Sequence, residues 1–223
     1  MKGRQRSGIH LAEVRHKILN SAKDLFTQQG YKKTTIRQIV ERSGILTGSI
    51  YYLYKSKEDI FQALILSLTQ KCIQQINEIC ANESPAFKYA AVCEVELKAV
   101  ENNEVVRDCY FAGYSSKLVF EKMVEQFAHM AEDLFADTPY QCSRDEYYRK
   151  TALIKGAMWG CVAEFYFERA TDHRQSREEL IILALQTFHV EPASIQDILN
   201  RLKEQENLWS TIGNQLRDYP VGN

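Results

Sequence analysis

The sequence lacks any hydrophobic run long enough to cross a membrane. No stretch of about 18 or more apolar residues occurs, and the longest candidate, residues 156–167, is interrupted by Glu164. The basic N-terminal segment is not followed by an apolar stretch of the length that a signal peptide contains. From these absences we expect a cytoplasmic protein without a membrane partner.

The sequence also lacks the residue spacings of metal and catalytic sites. No CxxC pair occurs, and His129 and His189 stand apart from any candidate nucleophile. The six cysteines are scattered, at Cys72, Cys80, Cys93, Cys109, Cys142 and Cys161. We expect reduced, mostly buried thiols that act as small apolar residues, with a redox sensor as the alternative. The sequence therefore predicts no metal, no cofactor and no enzymatic activity.

A third absence is the alternation of apolar and polar residues that indicates β-strands. Apolar residues instead recur at helical spacing, so the sequence predicts an all-α fold. Beyond Asn82 the pattern predicts helices near residues 86–102, 104–114, 116–136, 144–171, 177–190 and 193–217. The pairs Ser143/Glu146 and Ser176/Glu179 have the spacing of capping boxes at two of the helix starts.

Positive charge is concentrated at one end of the chain. The whole chain has 28 Lys and Arg and 29 Asp and Glu residues. Residues 1–57 hold 12 of the basic and 3 of the acidic residues, a net charge of +9, which leaves 16 basic and 26 acidic residues, a net charge of −10, for residues 58–223. A basic segment attracts a polyanion and an acidic one repels it. We therefore expect residues 1–57 to bind nucleic acid and residues 58–223 to form a second domain.

The basic segment begins with a predicted flexible arm and a long helix. Residues 1–8 show no apolar periodicity, and we expect an arm that lies along DNA or remains a disordered tail. Apolar residues at 3.6-residue spacing predict helix 1 from Leu11 to Gln29. Gly30 is expected to end this helix, because glycine adopts the left-handed conformation of a helix end without steric cost.

Two short helical patterns separated by a glycine turn follow in the segment TTIRQIVERSGILTGSIYYLYKSK. Thr35 and Gln38 have the spacing of a capping box, which starts helix 2. Gly44 supplies the turn, and helix 3 is predicted from Thr47 to Leu53. This order is that of a helix-turn-helix element that reads DNA.

A fourth helix is predicted to follow from Lys57 to about Ile79. Ser56 and Asp59 have the spacing that caps its N-terminus. Lys57 lies at this N-terminus, where backbone amides attract anions, so we expect it to contact a phosphate.

The outward-facing residues of helices 2 and 3 are the candidates for DNA contact. Small side chains let the backbone approach a groove, and tyrosine hydroxyls can donate hydrogen bonds to phosphates. The candidate DNA-binding residues are Thr35, Arg37, Thr47, Gly48, Ser49, Tyr51, Tyr52 and Lys57. Arg37 and helix 3 are expected to contact base edges, whereas Thr35, the tyrosines and Lys57 mainly fix the protein on phosphates.

Residues 18–64 resemble the N-terminal domain of the TetR family of one-component transcriptional regulators. The resemblance is carried by AKDLFTQQGYKKTTIRQIVERSG and by GSIYYLYKSKEDIF, which contain the capped helix, the glycine turn, the tyrosine pair and a KxKE sequence in order. Leu46 stands where the family usually has a hydroxyl residue, which weakens the cap of helix 3. Leu53 stands where a histidine is common, which removes one phosphate contact.

The resemblance implies a larger helical domain that binds an effector and forms a homodimer. The sequence supports close helix packing there, because Gly156 and Gly160 leave one helix face without bulk, and a mid-helix glycine costs about 1 kcal/mol relative to alanine. The candidate residues of the dimer interface are Gly156, Gly160, Ala163 and Leu183. Close packing inside one subunit is the alternative.

Aromatic and methionine side chains of the larger domain are candidates for the lining of an effector cavity. The candidate effector-binding residues are Glu96, Tyr110, Tyr114, Phe127, Trp159 and Tyr166. Ordinary core packing is the alternative for the aromatic residues. Glu96 or Glu164 is also a candidate for a buried carboxylate that meets a cationic ligand, and a surface or dimer-rim position is the alternative for both.

The sequence thus predicts a homodimeric repressor that binds a palindromic double-stranded DNA operator and is released by a small apolar or aromatic effector. Two helix-turn-helix heads are expected to enter major grooves about one helical turn, near 34 Å, apart. An architectural or interaction protein that binds DNA without a small-molecule switch is the alternative.

Overall fold

The computed structural model describes residues 2–169 and 172–218, with side chains at residues 11–169 and 172–215. In this part of the chain it contains eleven α-helices and no strand, which confirms the predicted all-α fold. The helices are α1 (Lys2–Lys33), α2 (Ile36–Ser43), α3 (Thr47–Leu53), α4 (Lys57–Ile79), α5 (Pro85–Asn102), α6 (Glu104–Ser115), α7 (Lys117–Phe135), α8 (Arg144–Tyr166), α9 (His173–Thr187), α10 (Pro192–Glu204) and α11 (Glu206–Asp218). None of these described helices is long and apolar enough to cross a membrane.

The contacts divide the chain into two compact units within α4. The first described unit ends at Thr69, and the second runs from Gln70 to Arg217. The sequence places the domain boundary earlier, at the start of α4. The beginning of α4 stays with the N-terminal unit because the ring of Phe61 packs edge-on against that of Phe26 in α1, with centroids 5.7 Å apart.

Helix α1 begins earlier than predicted. Its backbone is helical from Lys2, so the prediction of a flexible arm over residues 1–8 is wrong from Lys2 onward, and Met1 lies outside the described residues. Lysine, arginine and glutamine are good helix formers, so the helix extends into this segment without apolar periodicity. Gly30, with φ 80° and ψ 160°, interrupts the helix at the predicted place.

The predicted caps of the helix-turn-helix region are confirmed. The Thr35 hydroxyl accepts from the backbone N–H of Gln38, and the Gln38 side chain accepts from the backbone N–H of Thr35 at 2.8 Å. Gly44 has φ 65°, the left-handed conformation that its turn requires. At the start of α4, Ser56 and Asp59 each accept a hydrogen bond from the other's backbone N–H. Local sequence signals therefore fix where α2 and α4 begin.

Helix α5 lies at the centre of the second unit. It contacts α6, α7, α8, α9 and α10. Almost every side chain from Ala86 to Val100 is buried, including the charged residues Glu94, Glu96 and Lys98. A helix that is buried on all sides is the core of its domain, so these charges must be satisfied inside the protein.

Helix α9 begins four residues earlier than its predicted start at residue 177. The Asp172 carboxylate caps it by accepting hydrogen bonds from the backbone N–H groups of Arg174 and Gln175, at 3.0 and 3.2 Å. Ser176 lies inside the helix, so the predicted Ser176/Glu179 capping box is wrong. Aspartate and serine are about equally good caps, and Asp172 already caps the helix four residues before Ser176. The Ser143/Glu146 box at the start of α8 is confirmed.

Two predicted helix ends also differ. Helix α8 ends at Tyr166, after which Glu168 adopts a positive φ of 50°, and the predicted end at Thr171 lies outside the described residues. The helix predicted over residues 193–217 is interrupted at Gln205 and forms α10 and α11. The interruption lets Trp209 turn inward, where it is fully buried and its indole N–H donates to the carbonyl of Leu202 at 3.0 Å.

Candidate nucleic-acid interface and effector centre

Helix α3 presents most of its surface to the outside of the N-terminal unit. Ile50 is its one buried residue among the described side chains and holds the helix against the core, with Tyr54 buried just after it. The five candidate residues on the helix are exposed, namely Thr47, Gly48, Ser49, Tyr51 and Tyr52. Tyr52 is 81% exposed, so its hydroxyl is available to an external acceptor.

Helix α2 adds an exposed cation beside this surface. Arg37 pairs with Glu41 at 2.9 Å, but the side chains are 87% and 60% exposed, so this ion pair contributes little and is readily exchanged. Arg42 instead bonds Asp24 of α1 at 3.2 Å. Thr35, the capping residue of α2, is exposed. Of the two outward arginines of α2, Arg37 is therefore the candidate for DNA contact.

The amino group of Lys57 is engaged within its own unit. It donates to the carbonyls of Tyr31 and Thr34 at 2.8 and 2.9 Å, and it lies 4.2 Å from the centroid of the Tyr31 ring. Partial burial lowers the pKa of Lys57. Two of its three N–H donors are occupied, so Lys57 connects the start of α4 to the end of α1. Its contact with phosphate remains a prediction.

Leu46 stands where the family usually has a hydroxyl residue, and it gives α3 no side-chain cap. It occupies the N-cap of α3, makes no side-chain hydrogen bond there and is 80% exposed. Leu53, at the end of α3, is half-buried. The start of α3 therefore depends on the burial of Ile50 and not on a side-chain cap.

The candidate dimer face is open in the described chain. A Cβ added at Gly156 or Gly160 would meet no atom within 4 Å among the described residues, so close packing inside one subunit is wrong for both. Ala163 is half-exposed and Leu183 is 44% exposed. The sequence analysis missed Leu153, which is 70% exposed on α8.

Glu96 is a buried carboxylate whose cationic partner is Lys155 of the same unit. Both side chains are 1% exposed, and Lys155 Nζ lies 2.7 Å from Glu96 Oε2. The Tyr110 hydroxyl donates to Glu96 Oε1 at 3.3 Å. Burial raises the pKa of Glu96, and the opposing effect of Lys155 is smaller. The surface alternative for Glu96 is therefore wrong.

The sequence analysis missed Lys155, although a lysine within the apolar pattern of α8 is a signal of a buried pair. Its ammonium lies 3.0 Å from the centroid of the Phe127 ring and 3.6 Å from Met158 Sδ. The rings of Tyr110 and Tyr114 are 6.3 Å apart, between centroids. The structure thus brings together Glu96, Tyr110 and Phe127 of the candidate effector set through Lys155, with Tyr114 beside them.

The other candidates for effector binding, Trp159, Tyr166 and Glu164, are not among the described contacts of Glu96 and Lys155. Trp159 is 41% exposed on α8. The ring of Tyr166 stacks on Phe111, with centroids 3.8 Å apart and planes 4° from parallel. Glu164 accepts a hydrogen bond from the Ser176 hydroxyl at 2.9 Å, which ties α8 to α9. Glu164 is therefore a structural carboxylate at a half-buried position.

The cysteines are all free, and four of the six are buried. Burial raises the pKa of every cysteine thiol, to about 12 for Cys93 and Cys109 and to about 11 for Cys161. Redox-sensing cysteines need a thiolate at neutral pH. These pKa shifts favour the structural interpretation over the redox sensor.

The described geometry of the N-terminal unit agrees with a match to a known domain family. Residues 18–64 match the family described as bacterial regulatory proteins of the tetR family. The matched segment contains the end of α1, the two helices of the helix-turn-helix, and the start of α4. The resemblance inferred from the sequence is confirmed.

Several curated proteins are similar to part of the chain. The transcriptional repressor KstR2 of Mycolicibacterium smegmatis is 29% identical over 92 residues, which are 41% of this chain and 45% of the relative. The transcriptional regulator AcrR of Shigella flexneri is 38% identical over 90 residues, 40% of this chain and 41% of the relative. The chain thus spans less than half the length of these relatives. They are transcriptional regulators and not enzymes, in agreement with the sequence analysis.

Solved structures share the fold over most of the chain. The structure of RolR in complex with resorcinol has a TM-score of 0.66 and 15% sequence identity, and the match covers 87% of this chain and 96% of RolR. SmeT, the repressor of a multidrug efflux pump of Stenotrophomonas maltophilia, has a TM-score of 0.52 and 16% identity, over 77% of this chain and 88% of SmeT. At these identities the likeness concerns the fold alone.

Proposed function

We propose, from the match of residues 18–64 to the tetR family, that the protein is a cytoplasmic transcriptional repressor that binds a palindromic operator as a homodimer. The exposed surface of α3 carries the proposal. Small residues at its leading end, Gly48 and Ser49, allow close approach to a major groove, and Tyr52 offers a hydroxyl. The positive charge of residues 1–57 supplies attraction to the DNA backbone.

The side chains of this surface divide into two roles. Arg37 and the leading residues of α3 contact base edges, because an arginine can donate two hydrogen bonds to a guanine. Thr35, Tyr51 and Tyr52 fix the register on phosphates. Lys57 contributes through its position at the end of α1, with one N–H left for a phosphate.

The exposed face of α8 and α9 is the proposed dimer interface. Leu153 and Leu183 are large apolar residues exposed on these two helices, and Gly156 and Gly160 let a facing backbone approach. Burying this face against a second copy would remove apolar surface from water. A dimer is also required if two heads are to read the two half-sites of a palindrome.

The cluster around Glu96 is the proposed effector site. An effector would bind more tightly to the head spacing that does not fit the operator, and binding would shift the population away from DNA. One solved structure that shares the fold, RolR, is a complex with resorcinol. Here the supporting observation is the cluster of Glu96, Lys155 and Tyr110, whose side chains are buried in the second unit.

The experiment is a mobility-shift titration of the full chain with a duplex from the region upstream of its own gene. A scrambled duplex of the same composition serves as the control at physiological salt. The proposal expects at least about a thousandfold tighter binding to the upstream duplex, the lower range for specific regulators. Equal affinity for both duplexes contradicts specific repression and favours the architectural alternative.

A further inference from the structure

The most deeply buried ion pair described in the second unit joins α5 to α8. Glu96 of α5 and Lys155 of α8 are each 1% exposed and lie 2.7 Å apart. Replacing such a pair by apolar side chains of similar volume is often neutral or stabilising. Stability alone therefore gives no reason to keep these two charges in the core, whereas a binding role gives one.

The groups around this pair have hydrogen-bonding capacity that the chain does not use. A carboxylate offers about four acceptor positions, and Glu96 receives one hydrogen bond from Lys155 and one from Tyr110. The Tyr114 hydroxyl is buried, and no group in the described part of the chain bonds to it. An unpaired buried hydroxyl destabilises the fold, because it has lost its hydrogen bonds to water. An external molecule that bonds to both groups would remove this destabilisation.

The charge balance restricts what that molecule can be. The pair of Glu96 and Lys155 has no net charge, so a charged ligand would place an uncompensated charge in the core, which is unfavourable. The Lys155 ammonium already faces Glu96, the ring of Phe127 and the sulfur of Met158. Since its donors are directed at these groups, a ligand meets the free acceptor positions of Glu96 and needs a donor of its own.

We propose that Glu96 and Tyr114 recognise an uncharged effector with a hydroxyl group on an apolar or aromatic frame. The ligand hydroxyl donates to Glu96 and accepts from the Tyr114 hydroxyl. Phe127 and Met158 form apolar walls, and the flexible methionine can adapt to the frame. This inference rests on the proposed function, because it names the ligand class of the proposed effector site.

The test uses four probes that share one ring and differ in one group. Benzyl alcohol, benzoate, benzylammonium and toluene are titrated into the full chain by calorimetry at pH 7. Benzyl alcohol should bind at least tenfold more tightly than each of the other three. Equal or tighter binding of a charged probe or of toluene overturns the proposal, as does a lack of binding by benzyl alcohol.

A pair of variants tests the named hydroxyl. Tyr114→Phe removes a hydroxyl without a partner, so the folded state should be at least as stable, while the affinity for benzyl alcohol falls at least threefold and that for toluene is unchanged. Tyr147→Phe is the matched control, since Tyr147 is buried in the same unit and its hydroxyl accepts from the backbone N–H of Cys142. Equal affinities of the two variants for benzyl alcohol overturn the role of Tyr114.

A third variant tests the charges without leaving either one unpaired. The double change Glu96→Gln and Lys155→Met removes both, and the preference for benzyl alcohol over toluene should fall at least fivefold. An undiminished preference overturns the role of Glu96. Operator binding without a probe is measured in parallel. Specific DNA binding without preference for benzyl alcohol overturns the ligand class alone, whereas that preference without specific DNA binding overturns the proposed function alone.

Discussion

At the scale of single residues, the N-terminal unit separates side chains that build it from side chains that face outward. Lys57 illustrates the first group, because its ammonium binds the carbonyls of Tyr31 and Thr34. Both carbonyls lie beyond the interruption of α1 at Gly30, and that of Tyr31 also accepts from the backbone N–H of Thr34 at 3.3 Å. Tyr52, which is 81% exposed, illustrates the second group.

The Lys57→Met variant should destabilise the N-terminal unit. It keeps most of the apolar stem but removes two hydrogen bonds from a charged donor, so we expect a loss of about 2 kcal/mol in the free energy of unfolding. Lys55→Met is the matched control, because the Lys55 side chain is exposed two residues away. Urea denaturation measures both, and equal stability of the two variants would show that the Lys57 contacts contribute nothing.

The outward residues should differ in how they affect DNA binding. Tyr52→Phe removes a phosphate hydrogen bond, so affinity should fall about fivefold on every sequence. Arg37→Ala should cost about 1–3 kcal/mol on the operator and relax the preference at particular base pairs. Binding of both variants to a set of single-base operator variants measures this difference. A uniform loss from Arg37→Ala would contradict its assignment to base edges.

At the scale of helices, one glycine lies in a close contact between two helices and two others lie on an open helix face. A Cβ on Gly213 of α11 would lie 3.0 Å from the backbone nitrogen of Ala99, so this glycine permits α11 to pack closely on α5. Gly156 and Gly160 of α8 have open space instead. The sequence predicts the second pair from its spacing, but it gives no sign of the first, because that contact joins segments far apart in the chain.

Changing both open glycines to alanine should strengthen the helix and weaken the dimer. Each alanine should favour the isolated helix by up to about 1 kcal/mol, while the added methyl groups should raise the dimer dissociation constant at least tenfold. Gly48→Ala is the control, because Gly48 is also a helical glycine with open space, but in the first turn of α3. Sedimentation equilibrium measures the constants. Unchanged dimerisation of the double variant would place the interface elsewhere.

A second contact between α11 and α5 is made by the carboxylate of Glu206. It accepts a hydrogen bond from the largely buried Lys98 at 2.5 Å, and this bond lowers the pKa of Glu206. A carboxyl with a lowered pKa stabilises the fold above its ordinary pKa, and the contribution is lost as the pH falls through the lowered value.

Glu206→Gln should therefore reduce the free energy of unfolding at pH 7 by about 1 kcal/mol, a value that allows for the exposure of the side chain. The difference from the unmodified chain should shrink as the pH falls below the ordinary range of glutamate. Glu204→Gln, at an exposed position two residues earlier, is the control. Thermal melts from pH 3 to pH 7 measure the stability of each variant. A stability difference between Glu206→Gln and the unmodified chain that does not change with pH would contradict the role of the Lys98–Glu206 bond.

At the scale of the whole molecule, the features that the sequence predicts correctly are those set by residues close together in the chain. The caps at Thr35 and Ser143 and the turn at Gly44 act within a few residues, so the helix-turn-helix and the start of α8 could be predicted. Lys155 and Glu96 are 59 residues apart in sequence, and only tertiary packing brings them together. The break at Gln205 likewise depends on the burial of Trp209, which no local pattern specifies.

Charge is distributed unevenly along the chain. Residues 1–57 have a net charge of +9 and residues 58–223 one of −10, so the two parts of the chain should interact very differently with DNA. The exposed surface of α3 lies in the positive part, whereas the Glu96 cluster and the open face of α8 lie in the negative part. DNA binding and dimerisation are therefore proposed for separate surfaces, and effector binding for the buried Glu96 cluster.

A binding selection from a random duplex library at physiological salt, followed by sequencing, tests whether the protein is a dimeric, sequence-specific repressor. Two heads joined by a dimer should enrich an inverted repeat whose half-site centres are about 10 base pairs or slightly more apart. Enrichment should be lost when Thr47 and Ser49 of α3 are changed to glutamate. Recovery of no common sequence, or of a single half-site without a repeat, would contradict a dimeric and sequence-specific repressor.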